Sequence, residues 1–302
     1  MKDAISNLSK IKGAGLIGLL IAIGLSAFIL TMIYMLLYDS EKSLTSSEKI
    51  LSSQNNLSFA AKTLENAAQK SGFTCSVAKP FIYNLTNNQS LSGKLIGNTV
   101  TAMSSHHTDK SFNMFKKGTG EKAQDSDVLI TRGLQQEAIF LNNPIKAGSN
   151  SIVIPKDSSL KAKDIVVLSN CEKRLFLRVA SIKKLDSSNH LLTFNTTIPI
   201  TFKAGAHVGK FQFHAFYVGH NTSGKTKTSA LYIEDLNGKR RILLDNMLNL
   251  KIIIGIRNKP GEITYVTPDK VKNWANARAL KISLLYKVAS NIKTFEFLVF
   301  LK

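Results

Sequence analysis

The feature that most constrains this chain is a long uncharged run close to its first residue. Residues 14–38, AGLIGLLIAIGLSAFILTMIYMLLY, are 25 consecutive positions without an acidic or basic side chain. As an α-helix the run would be about 37 Å long, which is enough to cross a hydrocarbon core of about 30 Å with some tilt. Because no face of this helix would be polar, a place at the edge of a soluble core is disfavoured. The run predicts a membrane-spanning helix.

The charges on either side of the run predict its orientation. Three lysines, at positions 2, 10 and 12, precede it, and Asp39 and Glu41 follow it. The positive end of a spanning helix stays in the cytoplasm, so the chain after Tyr38 should lie outside the inner face of the membrane. A secretory signal has a shorter apolar region that ends in a small-residue cleavage site, and no such site ends this run. We therefore predict a retained anchor rather than a discarded leader.

The polar segment that follows, residues 39–72, keeps an apolar stripe. Its members recur at near-heptad spacing, with alanines beside them: Leu44, Leu51, Leu57 or Ser58, and Leu64. This spacing places them on one face of a helix, and Gly72 is a typical residue just past a helix end. We predict that the membrane helix continues as an amphipathic helix to about Lys70.

From Phe73 onward the pattern predicts β-structure. Short runs rich in Val, Ile, Leu and Phe follow one another to the end of the chain, and Asn237-Gly238 between two of them indicates a hairpin. A short helix is predicted to begin at Thr267 with Pro268 in its first position. Residues 84–127 are rich in Asn, Ser, Thr, Lys and Gly, which predicts a loop or a weakly structured insertion. The fold class is therefore α+β, a long N-terminal helix packed on antiparallel sheets.

Charge and cysteine content leave two questions open. The formal net charge is +20, from 40 Lys and Arg against 20 Asp and Glu. Such a balance could favour nucleic acid or anionic lipid as a partner, but we favour a lysine-rich solvated surface, since no arginine-rich helix or aromatic-basic interleaving stands out. The two cysteines, Cys75 and Cys171, suit one disulfide if the domain is exported and two thiols if it is not.

One motif tests whether the chain binds nucleotide. GHNTSGKT, residues 219–226, matches the phosphate-binding pattern G-x-x-x-x-G-K-[ST]. That pattern needs a strand before it and a helix that starts at Lys225 and Thr226, so that the loop amides and the helix N-terminus converge on the phosphates. The residues that follow, KTSALYIEDLNG, are strand-like. We predict a solvated loop between two strands, with the strand that ends at Asp245 as an arm of the next hairpin.

No other pattern predicts catalysis, a metal or a cofactor. The six histidines lack the spacing of metal ligands, and no serine or cysteine lies in a nucleophile motif. Asp125 and Asp127 lie two apart, but the glycine and distal glutamate of a calcium loop do not follow them. We predict that the chain is not an enzyme and binds no cofactor.

The junction KGAGLIGLLIAIGL resembles the start of type IV pilins and their relatives. The resemblance implies a leader of residues 1–13, cleavage by prepilin peptidase between Gly13 and Ala14, and N-methylation of Ala14. The sequence departs from the family at two positions, since Ala14 replaces the usual Phe and Gly18 replaces the usual Glu. Related secretion-system tip subunits also lack this glutamate, so Gly18 supports a position near the filament tip.

Three later segments extend this resemblance over nearly the whole chain. In family order they are AAQKSGFTC, LKAKDIVVLSNCEKRLFLRVASI and VKNWANARALKISLLYKV. Together they resemble PilW-like minor pilins, whose periplasmic β-rich globular domain would here be residues 73–302. In an oxidising periplasm we expect Cys75 and Cys171 to form a disulfide.

The resemblance implies a structural subunit that primes type IV pilus assembly and lies at or near the filament tip. Its partners would be other minor pilins, the major pilin, an adhesin-like tip protein, prepilin peptidase, the inner-membrane assembly platform and inner-membrane lipid. The subunit would stay in the inner membrane before assembly and reach the cell surface in the pilus afterwards.

Two other functions stay open at this point. The first is a minor pseudopilin of a type II secretion system, which would share the architecture without forming a surface fibre. The second is a basic pilus subunit that binds DNA during DNA uptake, for which a steep salt dependence would be the mark.

Overall fold

The computed structural model describes residues 2–73, 81–86, 92–104, 121–122, 125–170, 172–221, 228–259, 261–288 and 291–301, with the backbone alone for residues 2–17. The chain divides into two compact units, Met1–Asn56 and Leu57–Lys302. The first unit is helical, and the second contains the sheets together with the last turns of the same helix.

Helix α1 extends from Lys2 to Gln69 as one element. It covers residues 2–13 of the predicted leader, the membrane segment and the amphipathic segment without a break, and it ends one residue before the predicted end near Lys70. The amide of Lys70 still bonds to Asn66 O at 2.9 Å, after which Gly72 takes a positive φ of 133°. Gly72 also lies against Gly133, where an added Cβ would meet the Gly72 amide nitrogen at 2.7 Å. This close approach explains Gly133, whereas the positive φ explains Gly72, since no neighbouring atom lies within 4 Å of the position that its Cβ would take.

The sheets confirm the α+β class, with more strand than helix in the second unit. The elements before the second sheet are β1 Phe81–Asn84, α2 Ser92–Leu95, β2 Val100–Met103, β3 Glu121–Lys122, β4 Val128–Leu134, β5 Ile139–Phe140, β6 Ser151–Pro155, β7 Ile165–Ser169, β8 Lys173–Lys184, β9 Asn189–Phe194, β10 His207–Asn221, β11 Thr228–Asp235 and β12 Arg240–Asp245. The second sheet contains β13 Met247–Lys259, β14 Glu262–Val266, β15 Ala277–Val288 and β16 Asn291–Phe300.

The long strand β10 organises the first sheet. The main path of this sheet is β12-β11-β10-β7-β8-β9-β6, and β3, β4 and β5 also pair with β10. The pairs are antiparallel except β1 with β8, which is parallel. The start of β10 pairs with β7 and its end pairs with β11, so one strand joins the two halves of this sheet.

The second sheet has the order β14-β13-β15-β16 and packs on the last turns of α1. Leu57, Ala60, Leu64 and Ala68 of the helix share one core with inward-facing residues of both sheets. Backbone bonds also join the sheets, because Asp127 donates its amide to Leu250 O at 2.8 Å. Two further cores lie in the β6–β9 region and around the aromatic residues of β10.

Several predictions of local structure can be compared with these elements. The Asn237-Gly238 hairpin is confirmed between β11 and β12, with Gly238 at a φ of 81°. The helix at Pro268 is a single 3₁₀ turn, Pro268–Lys270, with Thr267 in the N-cap position but without a capping bond from its side chain.

The loop prediction for residues 84–127 is wrong for part of that range. Helix α2 and strand β2 lie in it, and Leu95, Val100 and Ala102 are buried. Residues 105–120 lie outside the described part of the chain. Strand β3 also lies in this range, and the sequence pattern did not predict the three elements because they are only two to four residues long.

Candidate functional site

The predicted processing site lies within helix α1. Gly13 and Ala14 are helical, but the side chains of residues 2–17 are not described, so cleavage and methylation stay predictions. Gly18 can be described further, because no atom lies within 4 Å of the position that a Cβ would take. Crowding among the described residues of this chain therefore does not require glycine there.

The segment from Gly18 to Tyr38 is apolar and exposed. It belongs to one helix that is long and apolar enough to cross a membrane, with a mean hydropathy of 2.4 in its most apolar window. The large side chains of this segment, such as Leu30 and Leu36, are 66% and 71% exposed. The hydroxyl groups of Ser26 and Thr31 are satisfied within the helix, since Ser26 donates to Ala22 O at 2.7 Å and Thr31 to Ala27 O at 2.6 Å. Such internal bonds suit a segment placed in lipid.

The predicted stripe of the second helical segment divides into two parts. Leu57 and Leu64 are 3% and 0% exposed and belong to the core of the second unit. Leu44 and Leu51 are 63% and 58% exposed, and Ile50 is 39% exposed. The monomer thus uses only the C-terminal part of the stripe, and the N-terminal part has no cover within the described chain.

Both cysteines of the predicted disulfide, Cys75 and Cys171, lie outside the described residues. The chain segments that lead to them meet, however. The guanidinium carbon of Arg174 lies 3.6 Å from the centre of the Phe73 ring, and this ring stacks on Phe211 with 6.3 Å between centres. Phe73 is two residues before one cysteine and Arg174 is three residues after the other, and the disulfide itself stays a prediction.

The nucleotide-binding pattern has strands on both sides of its loop. Strand β10 includes the first three residues of the pattern and ends at Asn221, which pairs with Thr228 at the start of β11. Residues 222–227, which include Lys225, lie outside the described residues. The predicted loop is therefore shorter than GHNTSGKT, because Gly219 and His220 are strand residues. A strand instead of a helix after the motif leaves no helix N-terminus to bind phosphate.

The histidines and acidic residues singled out from the sequence are separated in the structure. Within the described ranges, no three His, Cys, Asp or Glu side chains are grouped as they would be around a metal ion. His207 is 2% exposed, and burial together with the nearby Arg174 lowers its pKa below the usual value. Asp127 accepts a bond from the Ile252 amide at 2.9 Å, so it fastens β13.

A buried ionic network was not predicted from the sequence. Glu234 is 1% exposed and accepts bonds from Lys94 Nζ at 3.1 Å and Arg240 Nε at 3.0 Å. Arg132 donates from Nε to Lys94 O at 2.9 Å, and burial lowers the pKa of this guanidinium to about 10. The phenol of Tyr217 lies in the same region, where burial raises its pKa well above the usual range. These bonds hold α2 against the first sheet, so the network is structural.

Similarity to known proteins does not add to this description. No protein-family model matches the chain, and no curated protein matches its sequence.

Proposed function

We propose that this chain is a PilW-like minor pilin, a structural subunit that primes type IV pilus assembly near the filament tip. One observation carries the proposal: a single helix is apolar and exposed from Gly18 to Tyr38, and further along it Leu57, Ala60, Leu64 and Ala68 belong to the core of a β-rich unit. An element of this kind can hold its own globular domain and also join a bundle of similar helices.

The exposed apolar part of the helix supports the proposal, because such a surface needs a cover of lipid or of other helices. Before assembly, lipid of the inner membrane would cover Gly18 to Tyr38, with the lysine-rich end in the cytoplasm. After assembly, helices of other minor pilins and of the major pilin would cover the same surface. The exposed Leu44 and Leu51 would then contact neighbouring helices, since large exposed apolar surfaces mark interaction sites.

Gly18 supports a position at the tip. A glutamate here would place a charge in an apolar bundle, which is costly unless another group pairs with it, such as the N-terminal amine of a neighbouring subunit. A subunit at the tip has no neighbour on one side, so it loses little by lacking this charge. The proposal gives the chain a structural role, with an adhesin-like tip protein and the assembly platform as further partners.

The mature N-terminus tests the proposal. Mass spectrometry of the protein from assembled fibres should find Ala14 as the first residue, N-methylated. Gly13→Leu should keep the leader attached and block assembly while membrane insertion continues. Gly24→Leu is the matched control, because Gly24 also lies in α1 with open space around its Cβ position, and it should be processed normally. An intact Met1 in fibres would contradict the proposal.

A gene deletion separates this function from that of a type II pseudopilin. Loss of surface pili with normal protein secretion would support the pilus subunit. Loss of secretion with normal piliation would refute it in favour of the pseudopilin.

A further inference from the structure

The outer face of the second sheet carries large apolar side chains that the fold does not use. Tyr265 and Phe300 are 48% and 61% exposed, and Ile263 and Leu298 are 38% and 41% exposed. Val299, which lies between Leu298 and Phe300 in β16, is 0% exposed and faces the core. Strand β16 thus has one buried face and one outer face. The outer face of the sheet carries large apolar and aromatic side chains, whereas a solvated sheet face is normally polar.

Tyr265 and Phe300 lie at the two ends of one cross-strand row. Tyr265 is opposite Gly255, Gly255 is opposite Ala279, and Ala279 is opposite Phe300. With about 4.8 Å between strands, the backbones of the two aromatic residues are about 14 Å apart. A Cβ on Gly255 would lie 3.2 Å from Tyr265 Cε1, so this ring leans over the glycine. We call these four residues the aromatic row.

Cations surround the aromatic row. Arg257 lies opposite Ile263, two residues along β13 from Gly255 on one side of the aromatic row. Lys281 lies opposite Leu298, two residues along β15 from Ala279 on the other side. Among the described residues of this face the only acid is Glu296, which already pairs with Lys281 at 2.9 Å and accepts a bond from Ser283 at 2.8 Å. The face therefore combines exposed rings with net positive charge on a chain whose formal charge is +20.

We propose that this face binds single-stranded nucleic acid. Unpaired bases would stack on Tyr265 and Phe300, and phosphates would lie near Arg257 and Lys281. Exposed aromatic side chains on a sheet, with cations beside them, are how proteins bind single strands without reading sequence, because every base has a π-face. Duplex DNA keeps its bases stacked inside the helix, so it can use the cations but not the rings.

This proposal goes beyond the structural role in the pilus, and it can be tested without pili. The full-length protein in detergent micelles would be titrated into a fluorescently labelled thymidine oligonucleotide and, separately, into a duplex of equal length. Fluorescence anisotropy would report both affinities at several salt concentrations. We expect tighter binding of the single strand, with affinity falling as salt rises.

Substitutions assign the binding to this face. Tyr265→Ala and Phe300→Ala should each weaken single-strand binding about tenfold with an unchanged salt dependence, and duplex binding should not change. Arg257→Gln should weaken both and make the salt slope shallower by about one phosphate contact. Tyr265→Phe should bind like the parent, because it keeps the ring. Phe140→Ala is the matched control, since Phe140 is 59% exposed outside this sheet.

Three outcomes would overturn the proposal. The first is no binding of the single strand at physiological salt. The second is equal binding of single strand and duplex that the aromatic substitutions leave unchanged, which would show attraction by net charge alone. The third is an equal loss in Phe140→Ala and the two aromatic variants. Melting curves of each variant would establish that a lost affinity is not lost folding.

Discussion

Leu64→Ala probes the contact between α1 and the sheets, on which the proposed function depends. Leu64 is 0% exposed and packs with Leu57, Ala60 and residues of both sheets. The change removes three carbons, worth about 0.8 kcal/mol each when buried, or about 2.4 kcal/mol in total. The cavity that remains adds to this, and buried Leu→Ala changes cost about 2.7–5 kcal/mol. We expect the free energy of unfolding of the second unit to fall by about 3 kcal/mol.

Leu51→Ala is the matched control, because Leu51 lies on the same helix but is 58% exposed. Its effect on unfolding should be within about 0.5 kcal/mol, whereas its incorporation into pili should drop, since we assign Leu51 to contacts with neighbouring helices. Denaturant unfolding in detergent, followed by circular dichroism, measures the first effect, and immunoblots of sheared pili measure the second. Equal stability losses in the two variants would refute the division of the stripe into a core part and an assembly part.

Three further predictions concern the second unit. Glu234→Gln should lower the free energy of unfolding by about 3–5 kcal/mol, because it leaves Lys94 and Arg240 without their buried carboxylate. In the same denaturant titration, the control Glu296→Gln should have little effect, since Glu296 is exposed. The pKa of His207 is lowered in the folded protein, so the unfolded chain binds this proton first as pH falls. The free energy of unfolding should therefore decrease from pH 7.5 to 5.5. His207→Gln should reduce this pH dependence, measured as the change in melting temperature across the same range. Cys75→Ser should cost about 4 kcal/mol, the loop-closure value for about 100 residues; two free thiols in the exported, unreduced parent protein would contradict the disulfide.

Features that depend on neighbouring residues in the chain were predicted from the sequence, whereas contacts between elements far apart in the chain were not. The sequence pattern located α1, the hairpin at Asn237-Gly238 and the strands on either side of GHNTSGKT, since each depends on neighbours in the chain. It missed the network of Lys94, Arg132 and Glu234, whose members are brought together by pairing of strands far apart in sequence. All three are charged residue types that usually lie on the surface, and nothing local to them indicates burial.

The sequence alone determined the membrane-length helix and the α+β class, because each is a matter of the local hydrophobic pattern. Only the tertiary structure decided where the leucine stripe of α1 becomes core, since Leu51 and Leu57 look alike in the chain but differ from 58% to 3% in exposure. It also decided that Tyr265 and Phe300 share one row, as their neighbours across the sheet come from β13 and β15. Register between strands depends on packing across the whole sheet, which no local pattern encodes.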